Sequence, residues 1–201
     1  MICREDERTV AATLQEFYRD NNFPPDGGID SSYVKIHFSR WLTVYIPNFP
    51  GRKRALLKHD IHHLVTGYSA GSLKGESEIS AWEIASGCKG YWGAFLINTG
   101  GAMLGVIFNV RKVFRAFVKG RRSKNLYHAG VTTEEALKMK LRDLKLLLAT
   151  NHVNKRERLA DRLCFVCFCS FGLVYSVLLT PAVLLIIAYT LYIRSLKVRR
   201  R

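Results

Sequence analysis

Apolar and polar positions along the chain predict helices for most of its length. Residues 9–19 carry their apolar side chains on one helical face, behind Thr9 as a suitable N-cap. The segment 21–32 is rich in Asn, Pro, Gly and Asp, which predicts a loop. Residues 33–46 alternate only weakly and fit a strand or a helix. We favour a helix there because the chain downstream is helical.

Three further helices follow with clear boundaries. The first begins near Arg52 and ends before the Gly- and Ser-rich stretch 67–75, and the second runs over 76–86. The last spans 132–148 and opens with a Thr-x-x-Glu capping box. The pattern therefore predicts an all-α fold, a helical bundle.

Between these helices lies a long uncharged stretch followed by a strongly basic one. Residues 90–110 could span a bilayer by length, but their polar and small residues favour a buried core helix, in which Gly101 and Gly105 allow close packing. Residues 111–124 carry seven bases and no acid. Their apolar side is typical of a helix lying on an anionic lipid surface.

The C-terminal apolar run is the strongest membrane signal. Residues 163–193 are uncharged over thirty-one positions, which gives about 46 Å of helix against roughly 30 Å of hydrocarbon. Pro181 lies near the middle and basic residues flank both ends. We therefore favour a re-entrant hairpin over a single tilted span, with its basic face toward the cytoplasm. The predicted organisation is a helical domain over 1–155 and a membrane segment over 156–201.

Charge agrees with a membrane location. The formal net charge is +15, and residues 1–60 hold nine Lys and Arg against eight Asp and Glu, so the surplus lies after residue 60. A basic chain fits nucleic acid or an anionic membrane, and the long apolar run selects the membrane and argues against a nucleic-acid partner. Three of the five cysteines lie inside that run, where they are expected to be small apolar side chains.

Candidate chemistry is concentrated in one short segment. His59 and His63 lie four residues apart, so on a helix they project from the same face, as a two-histidine metal site requires. Asp60 flanks them, and Glu76 or Glu78 at the start of the next helix could complete the ligand set. The alternative is a hydrated polar turn of helix.

Three enzyme classes use similar motifs. Membrane desaturases need about eight histidines, whereas this chain has six. A zinc protease needs Glu directly after the first His, where this chain has Asp60. An HD-type phosphohydrolase would pair His59 and Asp60 with a separate His and Asp, such as His37 and Asp143, and stays as an alternative.

The motif also resembles a known family. His59-Asp60-x-x-His63 followed by Gly75-Glu76 is similar to the HDxxH…GE signature of the coenzyme Q biosynthesis protein 4 family. The likeness continues through "VTGY" (65–68), "AWEIASG" and "LYHAGVTTEEALKMKLRDL", and covers roughly residues 5–150. Two features depart from the family. Twelve residues separate His63 from Glu76 where eleven are expected, and the C-terminal membrane segment is not a usual part of it.

The resemblance implies an all-helical, membrane-associated protein of ubiquinone biosynthesis in an inner or cytoplasmic membrane. It implies a divalent metal, with zinc as the expected ion, and oxidative decarboxylation at ring carbon 1 of a prenylated quinone precursor. Carried over to this chain, His59, Asp60, His63 and Glu76 are the metal ligands and the catalytic residues. The implied partners are membrane lipid, the precursor and other quinone-biosynthesis proteins. Further copies of the chain are a separate candidate partner.

Two lesser expectations complete the picture. Glu83 lies seven residues after Glu76 on the same helix face and could orient a ligand, and Tyr127 and His128 could touch a substrate head group. A non-catalytic membrane scaffold or lipid-binding protein with a structural metal is the alternative to an enzyme. A closed coordination sphere would favour the scaffold, and an open one the enzyme.

Overall fold

The computed structural model describes residues 4–37, 43–150 and 157–199. Helices dominate this part of the chain, as predicted, and a single hairpin interrupts them. A short 3-10 helix (Arg4–Glu7) precedes α1 (Val10–Asp20), β1 (Tyr33–His37), β2 (Thr43–Pro47), α2 (Pro50–Thr66), α3 (Leu73–Ser86), α4 (Trp92–Gly120), α5 (Thr133–Lys138), α6 (Leu141–Leu147) and α7 (Leu159–Arg199).

The hairpin corrects the helix expected over 33–46. Strands β1 and β2 pair antiparallel, with Tyr33 opposite Pro47 and the register continuing inward; residues 38–42 lie outside the described part. The segment is rich in aromatic and β-branched residues, which fit a pleated surface better than a helix. The hairpin also has a tertiary partner, because the backbone N–H of Tyr45 donates to Thr190 Oγ1 of α7 at 3.1 Å.

The last predicted helix is divided in two. Residues 132–148 were expected to form one helix, but Met139 and Lys140 are extended and separate α5 from α6. The break has a specific cause, since Val10 N–H donates to the carbonyl of Met139 and Leu141 N–H donates to that of Arg8, both at 2.9 Å. A bridge to the start of α1 thus replaces a helical turn. The predicted capping box at the start of α5 is confirmed.

One core lies between α1, α2, α5 and α6. The Thr9 side chain caps α1 as predicted, accepting from Ala12 N–H at 3.3 Å. Helix α1 then turns its apolar face onto α2. The buried residues of this core are Val10, Leu14, Tyr18, Ile61, Val65, Leu126, Ala136, Leu141, Leu144 and Leu148. This core holds one face of α2 in place.

Helices α3 and α4 pack at very short range. A Cβ atom on Gly101 would lie 2.6 Å from Ser80 Oγ, and one on Gly105 would lie 2.5 Å from Ser77 Oγ. A methyl group at either position would force the serine to move, so both glycines serve the close packing that the sequence predicts.

Helix α4 is kinked where its composition changes. Asn109 has non-helical φ and ψ angles of −156° and 67°, and its Oδ1 accepts from Lys112 N–H at 3.3 Å as a new cap. The apolar half before Asn109 and the basic half after it are therefore two helical segments joined at that residue. This division agrees with the boundary predicted at residues 110–111.

The C-terminal run forms one continuous helix, so the favoured hairpin is wrong. Helix α7 covers forty-one residues, or about 61 Å, with Pro181 inside it. A proline in a helix removes one backbone hydrogen bond and commonly kinks the helix, but the chain need not reverse there. Its first turns pack on α4, where Phe165 and Phe168 contact Phe117 and join a second core.

Two of the described helices, α4 and α7, are long and apolar enough to cross a membrane. Both leave large apolar side chains exposed, including Ile107, Phe108, Leu173, Val177 and Leu178. An apolar patch of this extent is rare on a soluble monomer and is typical of contact with lipid or another protein. Helix α4 also buries a polar face against α3, whereas α7 contacts α4 along its first half and the hairpin near Thr190.

The close packing of α3 on α4 predicts opposite effects for two neighbouring glycines. Gly105→Ala should lower the free energy of unfolding by about 1–3 kcal/mol, because the new methyl group overlaps Ser77. Gly100→Ala, where a methyl group meets open space, should be neutral or stabilising by up to about 1 kcal/mol. Thermal unfolding of the full chain in detergent, followed by circular dichroism, measures both. Equal effects would contradict the described packing.

Candidate metal centre

The candidate centre forms where α2 ends and α3 begins. Helix α2 ends at Thr66, and Gly67 follows with a φ of +76° that allows the chain to leave the helix. Ser72 then caps α3 by accepting from Gly75 N–H at 3.1 Å. A Cβ atom on Gly75 would overlap the carbonyl of Ser69, so only glycine fits directly before Glu76. This tight turn brings the first turn of α3 back to the histidine face of α2.

Three side chains converge at this turn. His59 Nε2 lies 3.3 Å from His63 Nε2 and 3.5 Å from Glu76 Oε2, and His63 Nε2 lies 3.7 Å from Glu76 Oε1. One ligand atom from each residue lies within 4.8 Å of the others, so the group could hold a metal ion. Among the described residues no fourth His, Cys, Asp or Glu belongs to it.

Both imidazole rings are held by their other nitrogen. His59 Nδ1 lies 2.9 Å from Glu83 Oε1, and His63 Nδ1 lies 2.9 Å from the carbonyl of Tyr68. Neither acceptor can donate, so each Nδ1 carries the proton and each Nε2 presents a lone pair. Two lone pairs facing each other at 3.3 Å repel unless a proton or a metal ion lies between them. The donor set therefore fits a divalent metal.

Glu83 is the centre of a buried polar network. Its carboxylate has no solvent exposure, and besides His59 it accepts from His62 Nδ1 at 2.6 Å, from Tyr127 O–H at 2.9 Å and from Asn98 Nδ2. A buried carboxylate is tolerated when charge-assisted hydrogen bonds satisfy it. The network thus joins α2, α3 and α4 behind the metal group.

His62 belongs to this network rather than to a hydrated surface. Its ring is fully buried, and its Nε2 accepts from the backbone N–H of Leu126 at 2.9 Å while its Nδ1 donates to Glu83. Both nitrogens are used, so His62 has none left for a metal. The alternative of a hydrated polar turn is therefore wrong for this residue.

The remaining predicted site residues lie elsewhere. Asp60 is buried and accepts from Tyr18 O–H at 2.8 Å, on a different side of α2 from the group of His59, His63 and Glu76. Glu78 is not part of that group either, so Glu76 is its acidic member. Tyr127 donates to Glu83 instead of facing an open cavity.

The fold does not bring Asp143, the acid that the HD-type phosphohydrolase alternative requires, to the group around His59. Asp143 lies on α6 and accepts from its neighbour Arg142 at 3.3 Å. It is not part of the group around His59. His37 ends β1, and its side chain lies outside the described part.

The charges in the centre shift one another strongly. Burial alone would lower the pKa of His59. The carboxylates of Glu83 and Glu76 outweigh burial and raise this pKa well above its ordinary value. Burial, reinforced by His59, lowers the pKa of His63 to about 4. Although burial opposes it, His59 and His63 hold the pKa of Glu76 at about 2. Without a metal, the two rings therefore carry one proton beyond their two Nδ1 protons, and it lies on His59 Nε2.

Solvent reaches the centre from one side only. The side chains of Glu76 and His59 are 35% and 21% exposed, whereas that of His63 is 2% exposed. A ligand can therefore approach along the Glu76 side, while the other side is closed by the core of α1 and α2. Phe17 closes it directly, stacking on the ring of His63 with 5.8 Å between centroids.

Comparisons of the chain with protein-family models, with curated proteins and with solved structures find no match.

The geometry predicts which residues bind metal. His59→Ala or His63→Ala should each weaken binding by more than about 100-fold, beyond the loss typical of residues that only orient a ligand. Glu76→Gln should also reduce metal content, whereas the matched change Asp60→Asn should leave it near normal because Asn can still accept from Tyr18. Metal analysis of folded, purified protein measures all four. Equal metal in all of them, or equal losses for the two acids, would contradict this ligand set.

Metal binding should depend on pH through His59. Because the pKa of His59 is raised, metal must displace its proton, so affinity should increase with pH up to that pKa and then level off. Glu83→Gln removes a negative charge that raises the pKa of His59. The plateau should then begin at lower pH, and the plateau affinity should be about 10- to 100-fold weaker because His59 loses its orienting partner. Metal titrations across pH test this, and an unchanged pH profile in Glu83→Gln would contradict it.

Protonation of His59 should also make the stability of the metal-free protein depend on pH. His59 has a raised folded pKa, so its protonation stabilises the fold fully below the unfolded value near 6.5. That contribution should be lost as pH rises through the folded pKa. Unfolding of chelated protein across pH should therefore show decreasing stability above neutrality, and His59→Gln should flatten the decrease. A stability curve that is the same in both proteins would exclude His59 as the group responsible.

Proposed function

We propose that the chain is a membrane-bound, metal-dependent enzyme of ubiquinone biosynthesis that carries out oxidative decarboxylation of a prenylated aromatic acid. The observation that carries the proposal is the half-open group of His59, His63 and Glu76 on a chain with two helices apolar enough to cross a membrane. The resemblance of its motif to the coenzyme Q biosynthesis protein 4 family supplies the substrate class.

The ligand set supports an enzyme more than a structural site. Structural zinc sites are usually closed by four protein ligands, whereas catalytic sites have three and leave a position for water or substrate. The described residues provide three, and Glu76 lies on the exposed side. Two imidazoles and one carboxylate suit zinc. When bound, the cation would polarise a carboxylate or similar oxygen of the substrate.

The protein's own residues hold this arrangement. Glu83 and the carbonyl of Tyr68 orient the two rings, and Asn98 links the Glu83 carboxylate to the apolar half of α4. The opposite face of α4 exposes Ile97, Ile107 and Phe108. A prenyl tail would find an apolar surface there and along α7, in contact with the bilayer from which such a substrate must come.

Turnover and metal dependence test the proposal together. Full chain in native-lipid particles, given a prenylated aromatic acid labelled at its carboxyl carbon and supplied with air, should release labelled carbon dioxide. Chelation should stop release and added zinc should restore it. His63→Ala should be inactive, while the control Glu78→Gln, outside the metal group, should keep normal turnover.

Two outcomes would contradict an enzyme. Wild-type protein that is fully loaded with metal and releases no carbon dioxide would not be the proposed decarboxylase. If chelation also unfolds that protein, the metal has the structural role of a membrane scaffold. Turnover that survives chelation and the His63→Ala change would place the reaction at another site.

A further inference from the structure

A second candidate site lies away from the metal centre, where the basic half of α4 meets the start of α7. A cleft of about 430 Å³ opens between the two helices. Phe114 and Phe165 line its apolar part, and Arg111, Arg115 and Arg162 line its polar part together with Glu157. The two phenylalanine rings contact each other with 5.1 Å between centroids. The cleft therefore combines cations with an aromatic floor.

We propose that this cleft is a specific binding site for the phosphate group of an anionic membrane phospholipid. The phosphate would lie between the arginines, and the glycerol and first acyl carbons would lie on the apolar floor. The site is independent of the metal centre and of the reaction proposed there.

Two arginines of the cleft, Arg111 and Arg115, have no acidic partner among the described residues. Arg111 and Arg115 are one helical turn apart on the same exposed side of α4, and among the described residues no carboxylate lies within ion-pair distance of either. Like charges at this spacing repel each other. Arg162 adds a third cation from α7, and its contact with the exposed Glu157 is long, at 3.5 Å.

Two arginines directly after the end of α4 show how the chain satisfies arginines with its own acid. Arg121 Nε and Arg122 Nη2 donate to the Asp161 carboxylate of α7 at 3.0 Å and 2.7 Å. Asp161 is buried by this contact. Where α4 ends, its arginines are thus paired with Asp161 of α7, whereas Arg111 and Arg115 of the cleft have no such acid among the described residues. An anion from outside the chain would pair with the arginines of the cleft.

The position of the cleft favours a lipid as the source of that anion. It lies directly after Asn109, where the apolar half of α4 ends. On α7 the exposed apolar surface begins beside it, with Leu163 and Val166. This is the level at which phosphate groups lie when both apolar surfaces face hydrocarbon. Arginine binds phosphate through two parallel hydrogen bonds, which gives a defined site rather than general attraction.

Lipid retention by charge-matched variants tests the site. The full chain is placed in phosphatidylcholine nanodiscs containing a small fraction of phosphatidic acid or phosphatidylglycerol, and native mass spectrometry counts the anionic lipid that remains bound. Wild type should retain one anionic lipid. The double change Arg111→Gln with Arg115→Gln should weaken retention by about tenfold or more, as loss of charge-assisted hydrogen bonds would.

Two controls separate a site from general attraction. Lys112→Gln with Lys124→Gln removes the same charge from the same basic segment but outside the cleft, and should retain the lipid. Arg111→Lys with Arg115→Lys keeps the charge but loses the paired hydrogen bonds, and should retain less lipid than wild type. All four proteins should have the same thermal unfolding midpoint, since the four side chains are not buried in the core.

Three results would overturn the proposal. Equal losses in the Arg→Gln and Lys→Gln pairs would mean general attraction to a charged surface. Displacement of the lipid by an excess of inorganic phosphate would assign the cleft to a free phosphate. Wild-type protein that retains no anionic lipid would leave the cleft without this ligand.

Discussion

The arrangement of the domain depends on one buried carboxylate, that of Glu83. It has no contact with solvent and accepts hydrogen bonds from side chains on α2, on α4 and in the segment after α4. Leaving such a charge unpaired would cost several kcal/mol, so each donor has to be in place when the chain is folded. The position of α2 relative to α3 and α4 follows from this requirement. The metal group is a further consequence, because Glu83 fixes the ring of His59.

In this protein a buried helix interface is polar and the outer helix surfaces are apolar, the opposite of a typical water-soluble protein. The interface between α3 and α4 is polar and closely packed, with serines, Asn98 and Glu83, whereas the outer surfaces of α4 and α7 are apolar. In water this would be unfavourable, but a bilayer makes the outer surface a stabilising one. With these surfaces in a bilayer, as we propose, the basic half of α4 after Asn109 lies at the boundary between hydrocarbon and headgroups. A chemical centre can therefore sit close to a membrane without being inside the hydrocarbon.

Local signals predict local features of this protein well. The cap at Thr9, the box formed by Thr132 and Glu135, and the convergence of His59 with His63 all depend on residues within one helical turn. The change of composition near residue 110 likewise marks the kink in α4. Glu76 joins the histidines across a single turn, and the Gly75 before it is a visible sign of that turn.

Features that depend on distant partners could not be predicted in this way. Asp60 looks like a ligand beside His59, yet its partner is Tyr18, forty-two residues earlier. Glu83 is satisfied in part by Tyr127, forty-four residues later, and no periodicity indicates that pairing. The break between α5 and α6 comes from the bridge to Thr9, and the single helix α7 depends on how Pro181 is tolerated in a long apolar helix.

The most direct test of the account is X-ray absorption spectroscopy of the metal in purified, zinc-loaded full chain. The account predicts a first shell of nitrogen and oxygen at about 2.0–2.2 Å, with the outer-shell pattern of two imidazoles and no sulfur. His62→Gln should keep the two-imidazole pattern, and His63→Ala should lose it. Sulfur at about 2.3 Å, which would point to the cysteines, or a first shell without imidazole would contradict a centre built on His59, His63 and Glu76.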